Sequence, residues 1–294
     1  MNTPGLWARL PVLVSALLSG LAVALAGTVP WAVLVSANTR HLTSVPWAVP
    51  LMAVYLWLYW HYVRGAGWPR STSAARRANS RANRLVGRTW GAALLAGILG
   101  LVTILLFQGV LGRLVSLPRE QHMDFSRYPA TTVFFSLLMS AVVAGMVEET
   151  AFRGYVQRPL ERSYGPVLAI LVTGTLFGFA HFTHPEVTLV LLPYYLAVAA
   201  VYGALAYFTD STLPSMALHI GGNAFSALDF MTRGRSEWHL SVTPKPLIWQ
   251  AGPDAPFWAN LAAFVVVGAA AIWAYAALSR AAQATRAPVG DQEH

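Results

Sequence analysis

The sequence predicts an all-α, polytopic integral membrane protein with about eight transmembrane helices. Three observations carry that prediction. Apolar residues make up 56% of the chain and charged residues only 11%, against roughly 25% charged in a soluble domain, and the mean hydropathy is +0.51. The apolar residues come in runs of roughly 20, the length that crosses a bilayer core as a helix. The arginines that separate the runs gather in connecting segments. The formal net charge of +8 therefore reads as an orientation signal rather than a nucleic-acid surface. Cysteine is absent, which removes disulfides and thiolate metal sites.

The first run covers about 11–36. Arg9 precedes it and Ala24-Leu25-Ala26 resembles a signal-peptidase site. Hydrophobicity continues through Trp31 to Val35, so the expectation is an uncleaved anchor. The second run, about 46–63, leads into a segment with seven arginines and no acid: Arg64, Arg70, Arg76, Arg77, Arg81, Arg84 and Arg88. The positive-inside rule makes this segment cytoplasmic; attraction to anionic lipid headgroups is the second reading. The remaining runs lie at about 90–112, 131–158, 164–182, 188–208, 213–230 and 257–278. Eight spans put both termini in the cytoplasm, expected to be that of a bacterium, and the connections 113–130 and 231–256 outside. Pro193, Pro214 and the Gly221-Gly222 pair interrupt the sixth and seventh runs. Pro193 either kinks its helix or marks its start.

Trp7, Trp31, Trp47, Trp68, Trp90 and Trp258 fall near predicted helix ends, as interfacial anchors do. The tail from Ala281 to His294 is polar and expected to be disordered. The chain divides into an N-terminal part (1–130), a four-helix core (131–230) and a last part (231–294).

The core is where chemistry shows. The apolar run from Thr131 to Ala144 ends in Gly145-Met146-Val147-Glu148-Glu149-Thr150-Ala151-Phe152-Arg153-Gly154-Tyr155. A charged side chain in hydrocarbon costs at least about 2.5–3.5 kcal/mol on insertion scales. Glu149 and Arg153 are four apart and can pair on one helix face. Glu148 lies about 100° around the helix and points elsewhere. The bland reading is that this helix end stands wet at the headgroups.

Two histidines inside apolar runs change the balance. Glu148 and His181 are equidistant from the turn at Tyr164-Gly165-Pro166, so a hairpin folded there brings them to the same depth. His219 and Asn223, four apart, share a face. The intervening Gly221-Gly222 thins that helix and admits another backbone or a substrate. His184 lies just past the end of the His181 helix and reads as a loop residue. The set offers a general base (Glu148), a group to orient or share its proton (His181) and two donors to a developing oxyanion (His219, Asn223). It suits attack of water on an amide carbonyl, and no covalent nucleophile is evident.

In order, Glu148-Glu149-x-x-x-Arg153, Phe177-x-x-x-His181 and His219-x-x-x-Asn223 resemble the motifs of the type II CAAX-prenyl-endopeptidase and bacteriocin-processing family, to which the Ras-converting enzymes belong. The resemblance covers about residues 145–226. It implies an eight-helix intramembrane endopeptidase with a cavity toward the cytoplasm. Glu148 would activate water with His181, His219 and Asn223 would hold the oxyanion, and Glu149–Arg153 would be a supporting pair. The implied partner is a membrane-associated peptide or lipopeptide in the bilayer, of which a prenylated or CAAX-like peptide is one form, with no nucleic acid. No cofactor is favoured. Zinc is the alternative, with Glu148, His181 and His219 as ligands, although H-E-x-x-H is absent and Arg153 would repel a dication. The competing functions are a non-catalytic bacteriocin self-immunity protein or membrane scaffold, and a proton-coupled transporter, for which intramembrane Glu/His chains are typical. Transporters tend to show internal repeats, and none is visible here.

Overall fold

In the computed structural model, which describes residues 10–117, 125–181, 189–233 and 245–286, all eight apolar runs are helical and no strand occurs among the described residues. The helices are α1 (Val12–Arg40), α2 (Ala48–Val63), α3 (Ser73–Ser80), α4 (Gly87–Leu114), α5 (Ala130–Glu148), a π-helical segment (Glu149–Val156), α6 (Gln157–Tyr164), α7 (Pro166–Ala180), α8 (Leu192–Thr209), α9 (Leu213–Arg233), α10 (Ile248–Ala251) and α11 (Ala255–Arg286). Five continuous helical stretches are long and apolar enough to cross a membrane: Val12–Arg40, Gly87–Leu114, Ala130–Tyr164, Leu189–Thr209 and Ala255–Ala284. The other three runs, α2, α7 and α9, are shorter or more polar helices. With five such helices the chain is an integral membrane protein.

The turns follow from local chemistry. Gly165, at φ +81, ends α6, and Pro166 opens α7, a position where its missing N–H costs nothing. Pro193 lies in the first turn of α8, so it marks a helix start rather than a kink. α11 continues to Arg286, so the polar tail begins as helix; residues 287–294 lie outside the described residues.

α1 packs on α5 and the π segment, α5 on α9, α7 on α8, and α4 between α8 and α11. The first of these contacts needs glycine. A Cβ on Gly27 would strike the Val147 side chain, and one on Gly20 would strike Val156. Small residues let apolar helices approach where lipid supplies no hydrophobic drive. Trp31 departs from its expected interfacial role: it is 7% exposed, and its Nε1 donates to Ser140 Oγ at 2.9 Å. Trp68 and Trp258 remain exposed; Trp7 lies outside the described residues.

The basic segment takes part in the packing. Arg81 is buried in a left-handed backbone conformation, φ +51. Its guanidinium grips Glu161 of α6 at 3.0 Å through both oxygens and Asp210 after α8 at 2.9 Å. Arg158 adds a 2.8 Å contact to Asp210, and Thr212 and Ser211 bond the carbonyls of Ser80 and Asn83. The α3–α4 connection, α6 and the α8–α9 turn are thus tied at one end of the bundle.

At the other end Arg113 bonds the Pro246 carbonyl at 2.9 Å and Asp254 at 2.8 Å. That hydrogen bond, with a second from the Phe257 backbone N–H, holds the Asp254 carboxyl below the usual aspartate range. A lowered folded value stabilises the fold above the unfolded value of about 3.9 and is lost as pH falls through the folded one. Wild type should therefore melt slightly higher than Asp254→Asn at about pH 6, and the two should converge as pH falls through the lowered Asp254 value. A gap that persists unchanged in acid would show that the Asp254 charge is not its source.

Candidate active site

The site forms where α5 becomes π-helical. Glu148 ends α5 and Glu149 opens the wider segment. Such segments occur often at functional sites, and the two acids stand at the start of this one with ordinary right-handed backbone. On a regular helix, adjacent glutamates point about 100° apart. In this fold both reach one imidazole: His219 Nδ1 lies 2.9 Å from Glu149 Oε1, and His219 Nε2 lies 3.9 Å from Glu148 Oε2. α9 comes close enough because of Gly145, where a Cβ would lie 2.9 Å from the backbone nitrogen of Ile220.

The two acids are not equivalent. Glu149 and Arg153 are fully buried and 3.2 Å apart. The Arg153 guanidinium lies over the Phe177 ring at 4.8 Å and the Tyr202 ring at 5.4 Å, a cation–π arrangement that strengthens with desolvation. The Glu148 side chain is 22% exposed and is the accessible member of the pair. Among the described residues, Glu149 Oε2 and the three Arg153 guanidinium nitrogens have no direct hydrogen bond. Buried polar groups left in this way call for water or a ligand.

His181 stands at the C-terminal end of α7. Its Nδ1 is 2.7 Å from the Phe177 carbonyl. A carbonyl only accepts, so Nδ1 carries the proton and Nε2 is the accepting nitrogen of the neutral ring. The hairpin register follows from the Phe152–Phe177 ring contact at 5.2 Å. Glu148 and His181 each lie about one turn beyond that contact, which places them at the same level.

The wall between the histidines is aromatic. Tyr195 stacks on His181 at 4.8 Å, and Tyr202 stacks on His219 at 5.3 Å, 10° from parallel. Both tyrosines belong to α8, seven residues apart and so two turns along one face. They were not anticipated as site residues; a seven-residue tyrosine spacing in an apolar helix was the available signal. Asn223 lies one turn from His219 on α9 and is half-buried.

One expectation needs correction, and the zinc alternative finds no site among the described residues. A Cβ added to Gly221 or Gly222 would meet nothing within 4 Å among the described residues. The close approach of backbones falls to Gly145 instead, because that glycine lies on the α5–α9 contact while the pair faces open space. The zinc alternative of Glu148, His181 and His219 is not assembled: among the described residues no group of three or more His, Asp or Glu is placed to hold a metal ion. The cationic Arg153 beside Glu149 also opposes a dication. His184 lies outside the described residues.

No curated protein and no solved structure matches the chain. A family match does exist, and it coincides with the helices just described. It runs from the start of α5 to Phe225 in α9 and takes in Glu148, Glu149, Arg153, His181, His219 and Asn223. This segment, residues 130–225, matches the family described as type II CAAX prenyl endopeptidase, Rce1-like.

Proposed function

We propose that the protein is an intramembrane endopeptidase that cleaves a peptide bond of a membrane-associated, CAAX-like or otherwise lipidated peptide with water activated by Glu148. The observation that carries this reading is the capture of His219 between two carboxylates on the distorted end of α5. Glu149, with Arg153 beside it, accepts the Nδ1–H of His219 and so fixes the ring. His219 Nε2 then faces Glu148. With Nδ1–H committed to Glu149, donation from Nε2 requires the imidazolium form, whose charge the two flanking carboxylates balance.

Glu148 takes a proton from water as the oxygen attacks the scissile carbonyl carbon. The carbonyl π electrons move onto oxygen, and the His219 Nε2–H and the Asn223 amide donate to that oxyanion. Collapse breaks the C–N bond. The departing amine receives the proton held on Glu148, with His181 Nε2 able to share it. Glu148 is regenerated, and water has been divided between the new carboxylate and the new amine. Tyr202 keeps the His219 ring plane and Arg153 balances the Glu149 charge; both act through their neighbours.

The test uses purified protein in proteoliposomes with a quenched fluorescent peptide anchored by a prenyl or acyl chain. In ¹⁸O water, hydrolysis places one ¹⁸O in the new carboxylate and leaves no acyl-enzyme to trap with hydroxylamine. Absence of cleavage across prenylated, acylated and unmodified peptides, with the protein monodisperse, would sink the endopeptidase reading and favour an immunity or scaffold role.

A further inference from the structure

The groove between α1 and α2 takes no part in the proposed chemistry. Its volume is about 640 Å³, within the range of roughly 300–1,000 Å³ of small-ligand sites. Leu18, Ala22 and Ala26 of α1 form one side, Leu58 and Tyr59 of α2 the other, and Tyr155 of the π segment also lines it. The tyrosine hydroxyls turn away into backbone bonds: Tyr59 donates to the Val23 carbonyl at 3.2 Å and Tyr155 to the Val63 carbonyl at 3.3 Å. What remains toward the groove is mainly hydrocarbon, with Ser19 and Tyr62 as polar members of its lining. Leu18 and Leu58, 45% and 54% exposed, open it to the bilayer.

One end of the groove is charged. Arg76 lines it together with Thr72, yet Arg76 is only 5% exposed. Its guanidinium donates to the carbonyls of Tyr62, Ala66, Gly67 and Pro69 and to Thr72 Oγ1, and lies 4.1 Å from the Tyr62 ring. All these partners are neutral. No carboxylate among the described residues pairs with Arg76, and the segment from Arg64 to Arg88 contains no acid. Carbonyl dipoles hold a cation without cancelling its charge, so this end of an apolar slot carries a fixed positive field. Arg64, Arg70 and Arg77 are in the same connection.

The groove is not an extension of the catalytic site. Tyr155 faces Val63, whereas Arg153, two residues away, faces Phe177 and Tyr202. Residues two apart do not share a helix face. We infer that the groove holds an acyl chain of an anionic phospholipid, with the phosphate at the Arg76 end. The chain packs against Tyr155, on the side of the π segment opposite Arg153. An arginine near an anionic surface favours association enough to change retention about fivefold.

The experiment is native mass spectrometry of the full chain released from a non-ionic detergent containing equal amounts of phosphatidylglycerol and phosphatidylcholine with identical chains. The expected result is one retained lipid, with phosphatidylglycerol favoured about fivefold. Ala22→Trp and Ala26→Phe, at exposed positions on the groove wall, fill the slot and should remove the adduct while the protein stays monodisperse. Equal retention of the two lipids by wild type overturns the proposal, whatever the variants do. So does an undiminished phosphatidylglycerol adduct on a folded Ala22→Trp protein. Peptide hydrolysis enters neither readout, so failure here is separable from failure of the endopeptidase reading.

Discussion

Glu148→Gln is expected to lower peptide hydrolysis by about 10²–10⁴-fold, the range of a lost general base, with little change in thermal stability. The two halves of this result come from different observations. Glutamine keeps the shape of glutamate but cannot take a proton from water. Glu148 is also the partly exposed acid, 3.9 Å from His219, and its neutral replacement leaves His219 still bonded to Glu149 at 2.9 Å. The same substitution at Glu149 should behave differently. Glu149 is fully buried and in contact with both His219 and Arg153, so Glu149→Gln should lose activity and stability together. Rates from the proteoliposome assay, read beside melting curves, separate the two. Glu148→Gln retaining more than about a tenth of wild-type activity would remove Glu148 from the base role, given that range. Pairing Glu148→Gln with His219→Gln adds a check, because residues that act as one unit are strongly non-additive. The double variant should be little slower than Glu148→Gln alone.

Arg153→Met should produce the largest loss of stability, about 3–5 kcal/mol, the cost of removing one partner from a buried ion pair. Most of that cost is the Glu149 charge left buried without its cation rather than the lost attraction. It follows that the double variant Glu149→Gln/Arg153→Met should be more stable than Arg153→Met alone. Unfolding by denaturing detergent or by heat, at matched lipid content, measures both. If Arg153→Met unfolds with wild type, the guanidinium is not holding a buried carboxylate, and Phe177 and Tyr202 pack equally well on an apolar side chain. If the double variant is worse than the single one, the loss belongs to packing around Arg153 rather than to stranded charge.

Much of the site could be read from spacing because helices have simple geometry. Glu149 and Arg153 pair across one turn because residues four apart do so on any helix of this kind. The equal distance of Glu148 and His181 from the turn at Gly165 needed only that the hairpin fold there, and the Phe152–Phe177 contact shows that it does. His219 and Asn223 share a face of α9 for the same reason. Periodicity says which residues share a face. It does not say what lies opposite. The bond from His219 to Glu149 spans 70 residues of chain and depends on Gly145 admitting Ile220. The burial of Trp31 against Ser140 and the capture of Glu161 and Asp210 by Arg81 are likewise contacts between distant segments.

Composition and pattern alone determined that this chain is helical and belongs in a membrane: hydrocarbon demands about 20 apolar residues per crossing with every backbone group satisfied internally. They also determined which few polar residues were too costly to be there without a partner. Only the tertiary structure decided the partners, because the close packing of α9 on α5 sets one histidine beside two adjacent carboxylates. Charge in a low-dielectric interior is settled by neighbours a few ångströms away, and those neighbours come from helices far apart in the chain.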